Sequence, residues 1–405
     1  MRKLYLLLDE WNNDKNFVGS EIEEIKKFFD VTIICNAPAD GQGFIFPKNV
    51  KNYFYQKKYG IKAILYGLKF FIDSDSYKEL KNLKGESHKF SKISEIIRFY
   101  INGELFYNFL KINDFLSKDT DAIFYSYWYF WKCFAVTKHR KQYPNINVIS
   151  RTHEYDLYTV SIPSGYQPFK RLMDSNIDKL VFIAEHGRQF YIDRYGYEKS
   201  DKYLLYHLGT KDYGMGKTEA KSNTIQLVSC SSVIPRKRVE LIVDALTLIN
   251  DKEVHWVHFG NGEQFVELQR NATEKLSNKS NINYELKGYT PHDEVMRYYS
   301  ENKVDAFMMM AVSEGNPVSV IEAMSFGIPV ISVNINNMPN LIKGNGILLD
   351  KRPNPKDISK AIAFFENSKS NEIAGMRSKS REIWEQEYRE DINIKEFVNE
   401  VLLKL

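Results

Sequence analysis

Short apolar runs recur along nearly the whole chain, separated by stretches with helical spacing. In the first half they are "KLYLLL", "VTIICN", "AIFYSY", "NVISR" and "KLVFIA"; in the second, "IQLVSC", "VHWVHF", "INYELK", "DAFMMM", "IPVISV" and "GILL". Continuous rather than alternating apolarity marks strands covered on both faces, as in a parallel sheet. Helical segments between them, such as 239–249 and 291–300, complete the βαβ rhythm of a doubly wound α/β fold. A chain of 405 residues exceeds what one core normally serves, so two domains are expected. The rhythm pauses at the polar stretch "HLGTKDYGMGKTEAKSNT", residues 207–224, which reads as the linker. Two Rossmann-like domains with a cleft between them are therefore expected, spanning 1–207 and 208–385. The amphipathic end, 386–405, is a helix that needs a surface to cover.

The region 51–115 departs from the rhythm. It is rich in Lys, Tyr and Phe with helical spacing, and reads as a helical insertion in the first domain. Ordinary packing is one reading; an acceptor or membrane-surface contact is the other, since basic and aromatic residues together suit such an interface.

Charge excludes some function classes. The 56 Lys and Arg exceed the 52 Asp and Glu by four, which fits an anionic small ligand or a peripheral membrane contact and is too weak for nucleic acid. Cys35, Cys133 and Cys230 are few and far apart, so neither a disulfide framework nor a zinc site is expected, and a cytoplasmic setting follows. "KLYLLL" is too short for a signal peptide core, and no apolar run reaches the ~18 residues of a membrane span.

The chemistry concentrates in "SEGNPVSVIEAMSFGIPVIS", residues 313–332. Asn316 reads as an N-cap, Pro317 as the first helical residue and Gly327 as the stop, giving a short helix over 317–326. Ser319, Glu322 and Ser325 form one polar stripe on an otherwise apolar cylinder. Glu314 precedes the cap, at the carboxyl end of the strand "DAFMMM", the edge where open α/β sheets bind ligands. A helix N-terminus opening there offers amides and a positive dipole end to phosphate. The carboxylates have two readings: they accept from ligand hydroxyls, or Glu322 pairs with a neighbouring Lys or Arg while Glu314 caps a loop. In "VSCSSVIPRKRVELIVDAL", the cations Arg236, Lys237 and Arg238 stand between a strand and a helix, suited to a diphosphate or to solvent. Gly260 and Gly262 of "FGNGE" either make a turn or admit a ligand near the backbone. In the first half "SRTHEYDLY" places Arg151, His153, Glu154 and Asp156 after a strand, and His153 could bind a hydroxyl or assist proton transfer; Glu185, His186 and Gly187 follow another strand. The DxD triplets at Asp73–Asp75 and Asp119–Asp121 lie off the strand-end pattern and are set aside as metal sites.

Together these stretches resemble the retaining glycosyltransferases of the GT-B fold grouped as glycosyl transferases group 1, in the version found in bacterial surface-polysaccharide enzymes. "EGNPVSVIEAMSFGIPVIS" is similar to that family's Glu-x7-Glu segment, and "SSVIPRKR", "FGNGE" and "LKGY" follow in its order. "FVGSEIEEIKKFFDVTIIC", "YSYW" and "SRTHEYDLY" extend the resemblance into the first half; it is weakest over 51–115. The resemblance implies that Glu314 contacts the donor sugar and Glu322 the ribose, with Lys237 on the diphosphate and His153 near the transferred sugar. Gly260, Gly262, Tyr289, Gly315, Asn316, Pro317 and Val318 complete the implied donor site. Ser232 stands where the family has an arginine, and Arg236 is the cation available nearby. Asn336, Asn337 and Asn340 occupy the places of paired glycines and an acidic residue. The implied partners are a nucleoside diphosphate sugar and a glycan or lipid-linked acceptor, with no metal and no other cofactor. The final helix, by resemblance, returns to the first domain. The rival expectations are a sugar-nucleotide epimerase on the same fold and a non-catalytic partner protein.

Overall fold

The computed structural model describes residues 1–38, 45–83, 87–159, 162–218, 224–367 and 370–405; residues 219–223 of the expected linker lie outside them. The chain forms two compact units, Met1–His207 with Ile394–Leu405, and Leu208–Asn393.

The first unit is built on seven parallel strands: β1 (Arg2–Leu7), β2 (Phe29–Asn36), β3 (Lys51–Tyr55), β4 (Ala122–Ser126), β5 (Ile146–Thr152), β6 (Lys179–Phe182) and β7 (Tyr203–Leu205). Their spatial order is β3-β2-β1-β4-β5-β6-β7. Successive residues of β1 enter opposite cores: Tyr5 and Leu7 lie in one buried cluster, Leu4 and Leu6 in the other. The period of two thus operates with both faces covered, which is why the sequence shows no polar alternation. Phe397, Val398, Val401 and Leu402 belong to the Leu4 and Leu6 cluster, so the C-terminal segment covers that face of the sheet. The expected change of unit at 386 falls instead between Asn393 and Ile394. Residues before it stay with the second unit because Thr210 N donates to Tyr388 O (2.9 Å) and Glu390 N to Thr210 O (3.1 Å).

The region 51–115 is not wholly helical. It opens as edge strand β3, whose residues pair in parallel with β2 from Thr32↔Lys51 to Asn36↔Tyr55. The helices Ile61–Phe70, Ser74–Lys81 and Lys89–Ile112 follow. Asp73 caps the second of these, accepting from Asp75 N and Ser76 N, and takes Lys138 Nζ at 2.7 Å on its other oxygen. The first DxD triplet is therefore a helix cap.

The second unit holds six parallel strands: β8 (Ile225–Cys230), β9 (Val254–Phe259), β10 (Ile282–Leu286), β11 (Ala306–Met309), β12 (Val330–Val333) and β13 (Gly346–Leu349). They lie in the order β10-β9-β8-β11-β12-β13. Connections run outward in one direction from β8 and in the other from β11, so the topological switch point lies between those two neighbours, where such sheets form a ligand crevice.

Candidate functional site

Two loops meet at that switch point, one after β8 and one after β11. The first contains a turn of 3-10 helix, Pro235–Lys237, after which Arg238 adopts φ +50°. Arg238 donates to Met310 O (2.6 Å) and Ala311 O (3.2 Å), closing the end of β11 and leaving it structural. Val312 N donates to Arg236 O at 2.9 Å, binding the loops together by backbone. The other two cations converge on Glu314: Lys237 Nζ pairs with Oε1, and Arg236 Nη1 stands 3.5 Å from the same oxygen while donating to Ser313 O at 3.0 Å. Glu314 is buried. Its charge is tolerable there because two cations face it. Of the two readings of Glu314, a loop cap and a ligand contact, the observed partners are side-chain cations and not loop amides.

The helix after Glu314 runs Val318–Ser325, with Pro317 as its N-cap, so Asn316 is not the cap the sequence suggests. Pro317 O accepts from Val320 N and Ile321 N, and the amides of Val318 and Ser319 fall in the open first turn. Asn316 sits one residue further out, and its side-chain Oδ1 and Nδ2 are both buried without a hydrogen-bond partner. An unpaired buried amide costs about 1–3 kcal/mol, which makes Asn316 a candidate for a ligand contact. Gly315 is buried beside it. Gly327, at φ +68°, terminates the helix as expected.

On the polar stripe, Ser325 Oγ turns back to Glu322 O at 2.6 Å. Glu322 Oε1 lies 2.7 Å from His292 Nε2, so the partner is a histidine and not the Lys or Arg considered from sequence. That hydrogen bond, outweighing partial burial, holds the His292 pKa above its ordinary value. Cys230, at the end of β8, has its thiol pushed up to about 12, first by burial and then by the Glu322 charge, while Lys237 acts in the opposite direction. Glu322 and Lys237 therefore act on the same strand end.

Gly260 and Gly262 let the loop after β9 lie against the loop after β8. A Cβ on Gly260, at φ +135°, would meet Ser231 O at 1.9 Å, and one on Gly262 would meet Val233 O at 2.4 Å. The close approach these glycines permit is filled by the chain itself. Tyr289 follows β10 and is exposed. Asn336 adopts φ +40° and donates from Nδ2 to Ser313 Oγ at 3.1 Å. Asparagine is among the few residues besides glycine that accept this conformation. The Asn336 side chain ties the loop after β12 to the Glu314 loop. Ser232 is exposed.

His153 lies in the first unit, directly after β5. Its ring packs on Trp128 (4.3 Å) and Tyr127 (4.8 Å), and both ring nitrogens are buried without a hydrogen-bond partner. Asp156 positions it: Oδ1 accepts from His153 N at 2.6 Å and Oδ2 from Tyr129 N at 2.7 Å. Arg151, just before it in the sequence, is instead structural, bonded to buried Glu21 at 3.0 Å. His186 accepts or donates at Nδ1 with Tyr158 OH, 2.8 Å away, and burial lowers its pKa. Among the described residues no group of three or more His, Cys, Asp or Glu side chains is arranged to hold a metal ion.

Two cations, a carboxylate and an open helix turn at one crevice can receive a ligand bearing both phosphate and hydroxyls. Residues 214–390, all in the second unit, match the family glycosyl transferases group 1. The chain is 21% identical over 191 residues to a component of the phosphatidylinositol N-acetylglucosaminyltransferase of Arabidopsis thaliana, covering 46% of this chain and 41% of that protein. It is 29% identical over 114 residues to the O-antigen biosynthesis glycosyltransferase WbnH of Escherichia coli, covering 28% and 30%. The chain thus spans less than half the length of these relatives. Among solved structures, the lipopolysaccharide outer core galactosyltransferase WaaB superposes over the full length of both chains with a TM-score of 0.69 at 16% identity. Anabaena HepE in complex with UDP and glucose does so with 0.66 at 13%. The fold is GT-B: two parallel-sheet Rossmann-like domains.

Proposed function

We propose that this chain, whose residues 214–390 match the glycosyl transferases group 1 family, is a retaining glycosyltransferase. It moves a sugar from a nucleoside diphosphate sugar to a glycan or lipid-linked acceptor in surface-polysaccharide synthesis. The observation that carries the reading is the convergence of Lys237 and Arg236 on buried Glu314 at the β8/β11 switch point. As the sugar leaves, negative charge grows on the diphosphate. Lys237, Arg236 and the first-turn amides of Val318 and Ser319 are placed to stabilise that charge, a role that needs no metal ion. Glu314, positioned by the same cations, accepts from sugar hydroxyls, and Glu322 accepts from the ribose. Asn316 finds in the donor the partners its amide lacks, and in the first unit His153 is the candidate for a sugar hydroxyl. Arg236 supplies the charge that Ser232 cannot.

The binding of UDP and glucose in the HepE complex supports a nucleotide-sugar donor. The test is product analysis with nucleotide sugars, with and without acceptor extract, on wild type, Glu314→Gln and Lys237→Ala. Transfer with retained anomeric configuration is expected, and each variant should lose ~100-fold or more in turnover, as removal of one charge-stabilising group does. Near-wild-type turnover in both variants would overturn the site. An epimerised nucleotide sugar formed without acceptor, or binding without any turnover, would replace the reading with an epimerase or a non-catalytic partner protein.

A further inference from the structure

The helix Ile61–Phe70 is oriented against the usual rule for a surface helix, whose polar side faces water. Ala63 and Phe70 turn inward, while Ile61, Ile64, Leu65 and Leu68 are exposed along one stripe, which Phe71 and Ile72 extend. Ile61 is 78% exposed and Ile72 86%. The same unit carries a groove of about 470 Å³ lined by Tyr59, Phe90, Ile93, Ser94, Ile97, Arg98 and Ile101, with Phe90 almost fully exposed.

Charge indicates what covers this face. Residues 56–72, "QKKYGIKAILYGLKFFI", contain Lys57, Lys58, Lys62 and Lys69 and no carboxylate. Lys69 is paired with Glu104 at 2.7 Å, whereas Lys57, Lys58 and Lys62 are exposed around the entry to the helix. A second copy of the chain would bring like charges together across such a face. An apolar stripe edged by lysines instead matches a surface of acyl chains beneath anionic headgroups. Among the described residues no helix is long and apolar enough to cross a membrane, so the contact is a helix lying in the interface.

We infer that the face formed by Ile61, Ile64, Leu65, Leu68, Phe71 and Ile72, with Lys57, Lys58 and Lys62, docks the first unit on an anionic lipid bilayer. The aliphatic side chains enter the acyl boundary and the lysines contact phosphate headgroups. This surface is independent of the proposed sugar transfer, and its test requires no catalysis.

The experiment is flotation of the full chain with vesicles of phosphatidylcholine alone and of phosphatidylcholine mixed with phosphatidylglycerol, at low and high salt, beside size-exclusion chromatography. The variants are Leu65→Glu with Leu68→Glu, and Lys57→Glu with Lys58→Glu and Lys62→Glu, all at exposed positions. Wild type should float with the anionic vesicles, less so at high salt. The lysine variant, which reverses three charges, should bind more weakly by at least about fivefold per position, and the leucine variant should stay unbound while keeping the wild-type melting temperature. Failure of wild type to bind anionic vesicles, or unchanged binding by the leucine variant, would overturn the inference. A wild-type dimer that the leucine variant turns into a monomer would assign the face to a second copy instead.

Discussion

Glu314 keeps a buried charge because Lys237 and Arg236 arrive from the neighbouring strand end, so each of the three depends on the other two. A second buried group in the same unit depends on the opposite device, neutrality. His258 sits in the core, Nδ1 2.8 Å from Ser229 Oγ, which also accepts from Trp256 Nε1 at 2.9 Å. Burial pushes its pKa down from 6.5 to about 4. The unfolded chain then takes up a proton that the folded chain refuses, so stability is full above pH 6.5 and falls as the pH drops toward 4. At about 1.4 kcal/mol per pH decade that is ~3 kcal/mol. Urea unfolding at neutral and acid pH should show wild type losing about that much more than His258→Asn, whatever the variant's baseline; parallel profiles would refute the assignment. Lys237 and Glu314 were legible in the sequence because both lie in loops at strand ends, and Glu322 because it lies on the polar stripe of an otherwise apolar helix. The His292 partner of Glu322 was not: thirty positions separate them, and nothing local marks the approach.

At the level of elements, Arg151 shows how a strand end can serve packing instead of chemistry. Its guanidinium meets Glu21 at 3.0 Å and lies over the Phe397 ring at 4.8 Å, joining β5, the helix Trp11–Ile25 and the C-terminal segment. Arg151→Met leaves Glu21 charged and buried, and should cost about 3–5 kcal/mol in unfolding free energy. Glu21→Gln combined with Arg151→Met should recover much of that loss, since replacing both partners removes the uncompensated charge. A double variant as unstable as the single one would show that the ion pair is not the cause. The long apolar strands were readable from their runs, but β3 and β7 were not. "KNYFY" carries lysine and aromatics suited to an exposed sheet edge, and "YLL" is three residues long. The helix start slipped by one residue because both Asn316 and Pro317 carry start signals, and the chain uses the proline's carbonyl.

At the scale of the whole molecule, the βαβ rhythm announces two doubly wound sheets, but it does not say which strands are neighbours. That information resides in long-range pairing: β8 and β11 are adjacent in the sheet although about eighty residues of chain separate them. Once the order is known, the switch point follows, and with it the reason the basic loop and the Glu314 loop share one crevice. The central claim is that this crevice receives a nucleoside diphosphate sugar. Thermal unfolding of wild type and Lys237→Ala against a panel of nucleotides and nucleotide sugars tests it directly. A donor at a hundredfold excess over its Kd should stabilise wild type by ~2.7 kcal/mol, a rise in Tm that Lys237→Ala largely loses. Wild-type melting unchanged by every nucleotide and nucleotide sugar would contradict the account.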